Sequence, residues 1–257
     1  MTRILTALAL IPFFVWVVVF AGPWPFLAAL IGVACLCYYE YNDIASEYGF
    51  GPPGWIGYAL GLVVLLRDDG AWLVMVLAAL AAFVLSMRDQ DLAKSLPRAA
   101  LLIAGVLYIF GCWKCALPLR ERSPHWLMYG LLLNWAGDIG AYYVGRAFGK
   151  HKLAPAVSPK KTWEGAAASV VTSVAVAGAY LTHFVPGVSW PVAIALTAAA
   201  NAAGQLGDLA ESAMKRGAGV KDSGIILPGH GGFLDRVDST LFALPVIYAY
   251  LKFCTAA

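Results

Sequence analysis

The sequence predicts an all-α, polytopic integral membrane protein with about nine transmembrane helices and a cytoplasmic N-terminus. Hydrophobic residues make up 61% of the 257 residues, charged residues make up only 13%, and the mean hydropathy is +0.73. A soluble domain carries about twice that share of charged residues, so an ordinary soluble protein is excluded. Several apolar runs approach or exceed the roughly 18 residues that cross a bilayer as a helix.

Turn-forming and polar segments divide the chain into nine candidate spans. Prolines 23 and 25 mark the first turn, and the Pro-Pro-Gly sequence at 52–54 marks the second. The spans lie near residues 4–22, 25–41, 54–67, 71–87, 98–118, 125–146, 164–184, 190–210 and 237–254.

The distribution of Lys and Arg predicts the orientation. Of the 18 Lys and Arg residues, 13 lie in segments on the side of the N-terminus and four on the other side, with Lys114 near the end of a span. Positive residues are retained in cytoplasmic loops. The N-terminus and the two most basic loops, 146–163 and 211–236, are therefore predicted to be cytoplasmic. With eight spans these two loops would lie on opposite sides.

Candidate chemistry is concentrated in the second half of the chain. Residues 1–120, about five spans, carry no motif and are predicted to be a membrane scaffold. Glu40 and Asp43 are compatible with an interfacial cap, and no other role is assigned to them. Residues 121–257 are predicted to be the catalytic membrane region, which contains both basic loops.

Three carboxylates are candidate metal ligands. Asp208 lies at the cytoplasmic end of span eight, and Asp235 and Asp238 lie where span nine begins. Charged groups at membrane depth are costly and usually functional. Oxygen ligands suit Mg²⁺, which also binds substrate phosphates. Helix capping explains Asp235 or Asp238 alone, whereas the three together favour a metal. If the helix of span eight continues, Asp208, Ser212 and Lys215 share one face.

The loop between spans eight and nine has the composition of a phosphate-binding segment. Its sequence Pro-Gly-His-Gly-Gly, 228–232, lets the backbone approach a ligand, and the helix that starts near Phe233 attracts phosphate. A simple turn is the alternative, and His230 either contacts phosphate or holds the loop. Four cations frame it: Lys215, Arg216, Lys221 and Arg236. The retention of positive residues in cytoplasmic loops and contact with lipid headgroups explain part of this set of cations.

A second basic motif, Ser-Pro-Lys-Lys-Thr at 158–162, precedes span seven. A Ser or Thr N-cap followed by Glu164 in the first turn is normal chemistry for a helix start. The adjacent lysines would attract an anionic lipid headgroup or a triphosphate. Asp138, inside span six, requires a partner, which Arg146 or Lys161 could supply.

These motifs resemble the signature of phosphatidate cytidylyltransferases, also called CDP-diacylglycerol synthases. The similarity extends from about residue 134 to 240 and includes G-D-x-x-A-Y-x-x-G-R from Gly137, S-P-K-K-T-W-E-G from Ser158 and G-D-L-x-E-S from Gly207. No motif position departs from the pattern. The longest motif is filled by Ser212, Lys215, Arg216, Lys221, Asp222, Pro228, Gly229, His230, Gly231, Gly232, Asp235, Arg236 and Asp238.

The resemblance implies transfer of the cytidylyl group of CTP to phosphatidic acid, which gives CDP-diacylglycerol and pyrophosphate in phospholipid biosynthesis. The implied catalytic residues are Asp208, Lys215, Arg216, Lys221, Asp222, Asp235 and Arg236. The implied binding residues are Ser158, Lys160, Lys161, Ser212, Gly229, His230, Gly231 and Gly232. Asp208, Asp235 and Asp238 are expected to hold Mg²⁺, and a second cation is left open.

The resemblance also implies roles and partners. The four cations would bind phosphates, 229–232 would clasp CTP, and Lys160 and Lys161 would meet the triphosphate or the lipid headgroup. Asp222 would be another ligand or would order the lysines. The expected protein is a homodimer in a bacterial-type inner (plasma) membrane, multi-pass, with its active site facing the cytoplasm and no nucleic-acid partner.

Two other classes remain open. A lipid kinase or an archaeal-lipid cytidylyltransferase would use related chemistry. A transporter for an anionic substrate would favour ionisable residues near the bilayer midplane and repeated broken helices, whereas the charges here gather on one face. The D-G-x-x-A-R pattern of CDP-alcohol phosphotransferases does not occur.

Overall fold

The computed structural model describes residues 2–50, 54–67, 70–87, 91–226 and 231–255, and 81% of the chain is helical. Within these ranges a helical segment occupies each position predicted for a span. The segments are α1 Thr2–Val19, α2 Pro23–Glu47, α3 Gly54–Leu66, α4 Ala71–Ser86, α5 Leu92–Arg122, α6 Pro124–Phe148, α7 Trp163–Phe184, α8 Trp190–Gly217 and α9 Asp238–Cys254.

Three of these segments are long and apolar enough to cross a membrane: α2, α5 and α7. The helices α3 and α4 are apolar but shorter. Large apolar side chains are exposed on both of them, including Trp55 at 77% and Leu80 at 56%. Exposed apolar surface on this scale is typical of a membrane protein. The nine-span arrangement and its orientation stay predictions.

The chain divides into two compact units. The first comprises Pro23–Lys114 and Met214–Asp235 with the start of the chain, and the second comprises Leu5–Gly22, Cys115–Ala213 and the segment from Arg236 onwards. The predicted scaffold thus contributes most of the first unit, which also includes the signature segment 214–235. The predicted division at residue 120 concerns roles and remains a prediction.

Aromatic side chains packed on glycines form the centre of the first unit. Tyr38 is fully buried, and its ring lies 4.8 Å from that of Tyr58 and 5.3 Å from that of Phe110. A Cβ on Gly61 would lie 2.1 Å from the Phe110 ring, and one on Gly57 would lie 1.7 Å from the Tyr38 hydroxyl. Glycines therefore allow α3 to approach α2 and α5 closely.

Small residues also allow helices to approach closely in the second unit. A Cβ on Gly137 of α6 would lie 2.6 Å from the Ser169 hydroxyl of α7, and one on Gly140 would lie 2.2 Å from Thr172. On α8, a Cβ on Gly207 would lie 2.8 Å from the carbonyl oxygen of Asp238. The small-residue run that precedes Asp208 is thus explained by close contact between α8 and the start of α9.

Polar side chains connect the helices of this unit in its interior. The Asn201 amide donates to the hydroxyls of Ser169, at 3.0 Å, and Ser173, at 2.9 Å. The Asn134 amide donates to the Thr240 hydroxyl at 3.2 Å. Hydrogen bonds of this kind add to helix association where the surroundings are apolar.

A short hairpin departs from the all-α prediction. Strands β1 Lys152–Ala154 and β2 Ser158–Thr162 pair antiparallel within the segment that was expected to be a loop. The Thr162 hydroxyl accepts from the Gly165 N–H at 3.2 Å, which confirms the predicted N-cap of α7. Strand β2 was missed because Ser-Pro-Lys-Lys-Thr lacks the alternation of apolar and polar residues that identifies a strand.

We predict that Gly207→Val destabilises the protein by about 1–3 kcal/mol, because the new side chain meets a backbone carbonyl that cannot rotate away. Thermal unfolding in detergent measures the effect. Ala202→Val, at an exposed position of the same helix, is the matched control. Equal melting temperatures for the two variants would contradict the close packing of α8 on α9.

Candidate active site

A cavity of about 530 Å³ lies within the second unit, between α6, the hairpin, α7 and α8. Its volume is in the range of small-molecule sites. The charged side chains that line it are Asp138, Arg146, Lys152, Lys160, Lys161 and Asp208. Uncharged polar residues complete the lining, among them Asn134, Ser169, Asn201, Gln205 and Ser239. Four cations against two carboxylates make this cavity suitable for a polyanion.

The two carboxylates of the cavity are held near Lys161. Its ammonium forms an ion pair with the carboxylate of Asp208, and both side chains are partly buried. Asp208 also accepts a hydrogen bond from the Ser212 hydroxyl at 3.3 Å, as expected for two residues on one face of a continuing helix.

Asp138 interacts electrostatically with Asp208, Lys161 and Arg236. Both partners that the sequence suggested, Lys161 and Arg146, line the same cavity as Asp138. The Arg146 guanidinium donates to the Tyr142 hydroxyl at 2.9 Å.

The hairpin that presents the lysines is anchored to α7. The imidazole of His151 lies 2.6 Å from the carboxylate of Glu164, and the Trp163 N–H donates to the His151 carbonyl at 2.9 Å. Helix α7 thus fixes both ends of the hairpin. Lys152 of β1 and Lys160 and Lys161 of β2 consequently line the same cavity.

The predicted metal ligands are divided between the units. Asp208 and Asp238 belong to the second unit, where Gly207 touches the backbone of Asp238. Asp238 opens α9, is 8% exposed and accepts from the Ser239 N–H at 2.5 Å. Asp235 belongs to the first unit. Among the described residues there is no group of three or more His, Cys, Asp or Glu side chains arranged to hold a metal ion. The three-carboxylate site stays a prediction.

Asp235 is the centre of a hydrogen-bonded turn in the first unit. One carboxylate oxygen pairs with the Lys215 ammonium, and both side chains are less than 10% exposed. The other accepts from the N–H groups of Ser223, at 3.0 Å, and Gly232, at 2.9 Å. Burial raises the pKa of Asp235, but Lys215 and these backbone donors outweigh it, so the pKa lies below the ordinary 3.8.

Gly231 and Gly232 of the signature loop have a structural role, and their predicted role in binding CTP stays a prediction. Gly231 has φ +79°, a conformation that favours glycine. A Cβ on Gly232 would lie 1.9 Å from the Ser223 hydroxyl and 2.6 Å from the Glu40 carboxylate. The backbone at Gly232 therefore lies close to side chains of the protein itself, those of Ser223 and Glu40. Gly229 and His230 lie outside the described residues.

The remaining predicted site residues are located at the surface or near it. Arg216 is exposed and donates to the Val220 carbonyl at 3.1 Å. Lys221 and Asp222 are exposed in the first unit, and Arg236 is exposed in the second. Ser158 lies in β2 but does not line the cavity.

Three residues of interest were not among the predicted site residues. Arg146 and Lys152 line the cavity. From the sequence, Lys152 was considered only as a charge of the basic loop, and Arg146 only as such a charge or as a partner of Asp138. Glu40, fully buried in α2, contacts the signature segment. A Glu within an apolar span was a signal for Glu40, but nothing in the sequence identified its partners.

Comparison with known proteins identifies the class. Residues 1–254 match the cytidylyltransferase family. The phosphatidate cytidylyltransferase of Staphylococcus aureus (strain COL) is 38% identical over 202 residues, which cover 76% of this chain and 77% of the relative. That of Bacillus subtilis (strain 168) is 33% identical over 261 residues, which cover 97% and 96%. The chain belongs to the cytidylyltransferase family and is a nucleotidyltransferase, which confirms the resemblance.

We predict that Asp235→Asn increases hydrogen exchange at the amides of Ser223 and Gly232, which lose a charged acceptor. Asp222→Asn, an exposed carboxamide substitution in the same segment, is the control and should leave both amides protected. Hydrogen-exchange mass spectrometry on the detergent-solubilised protein measures both variants.

The wild-type protection has a defined pH dependence. Because the folded pKa of Asp235 is below 3.8, the carboxylate's stabilisation is complete above that value and disappears only as the pH falls through the folded pKa. Protection, corrected for intrinsic exchange, should therefore be constant from about pH 8 to about pH 5. A fall within that window would show that Asp235 is protonated there and contradict the turn.

Proposed function

We propose that the protein transfers the cytidylyl group of CTP to phosphatidic acid and releases pyrophosphate. The observation that carries the proposal is the cavity of the second unit, in which Arg146, Lys152, Lys160 and Lys161 face a space of about 530 Å³. Family membership along the whole chain and the names of the relatives support a CTP-dependent reaction on a lipid. The apolar helices support a substrate that resides in the membrane.

The proposed reaction requires little proton transfer. A phosphate oxygen of phosphatidic acid attacks the α-phosphorus of CTP, the bond from that phosphorus to the bridging oxygen of the β-phosphate breaks, and pyrophosphate leaves. The second pKa of a phosphomonoester is about 6, so the attacking oxygen is largely ionised near neutral pH. No side chain has to act as a general base, and the barrier is the repulsion between two polyanions.

The cations of the cavity can reduce this repulsion because they neutralise phosphate charge. Lys160 and Lys161 extend from a hairpin that is fixed at both ends, so they are placed before the substrate arrives. Preorganised charge of this kind stabilises a transition state without the cost of reorganisation. Lys161 is paired with Asp208, so substrate phosphates would compete for a cation that is already oriented. Lys215, Arg216, Lys221 and Arg236 are proposed as further phosphate ligands.

The donor set also fits Mg²⁺. This ion is usually held by one or two carboxylates together with water and substrate phosphates. Asp208 and Asp238 of the second unit supply two such carboxylates where α8 contacts α9. When bound, Mg²⁺ would neutralise phosphate charge and polarise the phosphoryl group. Asp235, which accepts from Lys215 and two backbone N–H groups, is proposed as a third ligand on the resemblance alone.

The cellular arrangement follows from the same proposal. CTP is a cytoplasmic substrate, so the active site would face the cytoplasm of a bacterial inner membrane, in agreement with the charge distribution of the loops. Phosphatidic acid would enter sideways from the leaflet because its acyl chains favour lipid. A homodimer is proposed from the resemblance and is testable by cross-linking in native membranes.

Turnover of CTP labelled at the α-phosphorus tests the proposal. With the purified protein in mixed micelles, we expect the label in an organic-extractable lipid only when phosphatidic acid and Mg²⁺ are both present, with unlabelled pyrophosphate released. CTP labelled at the γ-phosphorus is the control and should leave the lipid unlabelled. Transfer of the γ-label to lipid would instead identify a lipid kinase, and folded protein that labels no lipid would refute the proposal.

A further inference from the structure

We propose that Glu40 is a positioning residue for the reaction: its buried carboxylate fixes Ser223, Phe233 and Leu234 and, through them, Asp235 and Lys215. The activity part of this inference rests on the proposed function. Glu40 lies in α2, within a part of the chain without any motif, and its side chain is fully buried. A buried carboxylate is stable only when hydrogen bonds or charges compensate its lost hydration.

Three donors of the signature segment converge on this carboxylate. Oε1 accepts from the Phe233 N–H at 2.8 Å. Oε2 accepts from the Leu234 N–H at 2.7 Å and from the Ser223 hydroxyl at 2.9 Å. All these groups belong to the first unit. Leu234 is the first residue of the short 3-10 turn Leu234–Arg236, and Phe233 directly precedes it.

Two glycines make room for the same carboxylate. A Cβ on Gly224 would lie 2.8 Å from Oε1 of Glu40, and one on Gly232 would lie 2.6 Å from Oε2. Gly224 and Gly232 thus lie so close to the two oxygens of the carboxylate that a side chain at either position would displace it. The hydrogen bonds and the close glycine contacts both indicate that Glu40 determines the position of these residues.

Ser223 connects Glu40 to Asp235. Its hydroxyl donates to Glu40 and accepts from the Asp235 N–H at 3.3 Å, while its own N–H donates to the Asp235 carboxylate at 3.0 Å. Asp235 in turn pairs with Lys215. A displacement of Glu40 is therefore expected to move Asp235 and Lys215, the two charged residues that the family signature places in the reaction, by way of Ser223.

Glu40→Gln is a sharp test because it preserves the size of the side chain. The two oxygens accept from two different backbone N–H groups, so either orientation of the amide directs its NH₂ at one of them. One buried donor is then left without an acceptor. Leaving one buried hydrogen-bond donor without an acceptor corresponds to a change of about tenfold to a hundredfold in an equilibrium constant or a rate constant.

The experiment compares the wild-type protein with Glu40→Gln and with Glu47→Gln, the same substitution at an exposed position of α2. Four quantities are measured: kcat and KM for CTP, the melting temperature, and the rate of tryptic cleavage after Lys221, which is exposed two residues before Ser223. Ser223→Ala, which removes the connecting hydroxyl, is a second variant should Glu40→Gln not fold.

We expect Glu40→Gln to lower kcat per folded enzyme by about tenfold to a hundredfold with little change in KM, and to accelerate cleavage after Lys221. Ser223→Ala should change both quantities in the same direction, and Glu47→Gln should change neither. A purely structural role would lower the melting temperature and leave kcat of the folded fraction unchanged.

Wild-type kcat and cleavage rate in Glu40→Gln, or in Ser223→Ala if only that variant folds, would overturn the inference. A wild-type protein that performs no cytidylyl transfer would refute the proposed function instead. The cleavage rate requires no substrate, so an unchanged rate in that case would still overturn the positioning role and a faster rate would support it.

Discussion

The structure depends on the compensation of carboxylates that are partly or fully removed from water. Glu40 is matched by two backbone N–H groups and a hydroxyl, Asp235 by Lys215 and two backbone N–H groups, and Asp208 by Lys161 and Ser212. Removing one partner from such a pair leaves a costly uncompensated group. The same compensation fixes the direction of each charged side chain, which is what a phosphoryl-transfer site requires before its substrates arrive.

Close backbone approach makes this compensation geometrically achievable. Gly232 and Gly224 let the backbone lie close to the Glu40 carboxylate, and Gly207 lets α8 touch the start of α9. In an apolar environment there is little hydrophobic driving force between helices, so small residues and interhelical hydrogen bonds dominate association. The glycines of the signature are therefore explained in part by the protein's own packing, and their frequency does not by itself indicate a ligand.

The helix positions were predictable because a long apolar run between turn residues has few alternatives in a membrane. The hairpin was not, since β2 carries two lysines and a proline with no apolar alternation. The Glu40 network was not predictable either, because its partners are 183 to 194 residues away along the chain. Asp138 illustrates an intermediate case: the need for a cation was evident from its position in a span, and the structure places both suggested partners, Lys161 and Arg146, in the same cavity.

The central claim of the proposed function is that the cations of the second unit's cavity bind substrate phosphates, those of CTP among them. Equilibrium binding of CTP to Lys161→Gln and to Lys150→Gln tests it most directly, because both changes remove one positive charge from the same connection and only Lys161 lines the cavity. The account predicts that Lys161→Gln weakens CTP binding by about tenfold or more, as the loss of a charged contact implies, and that Lys150→Gln binds CTP as the wild type does. Equal affinities for the two variants would contradict it.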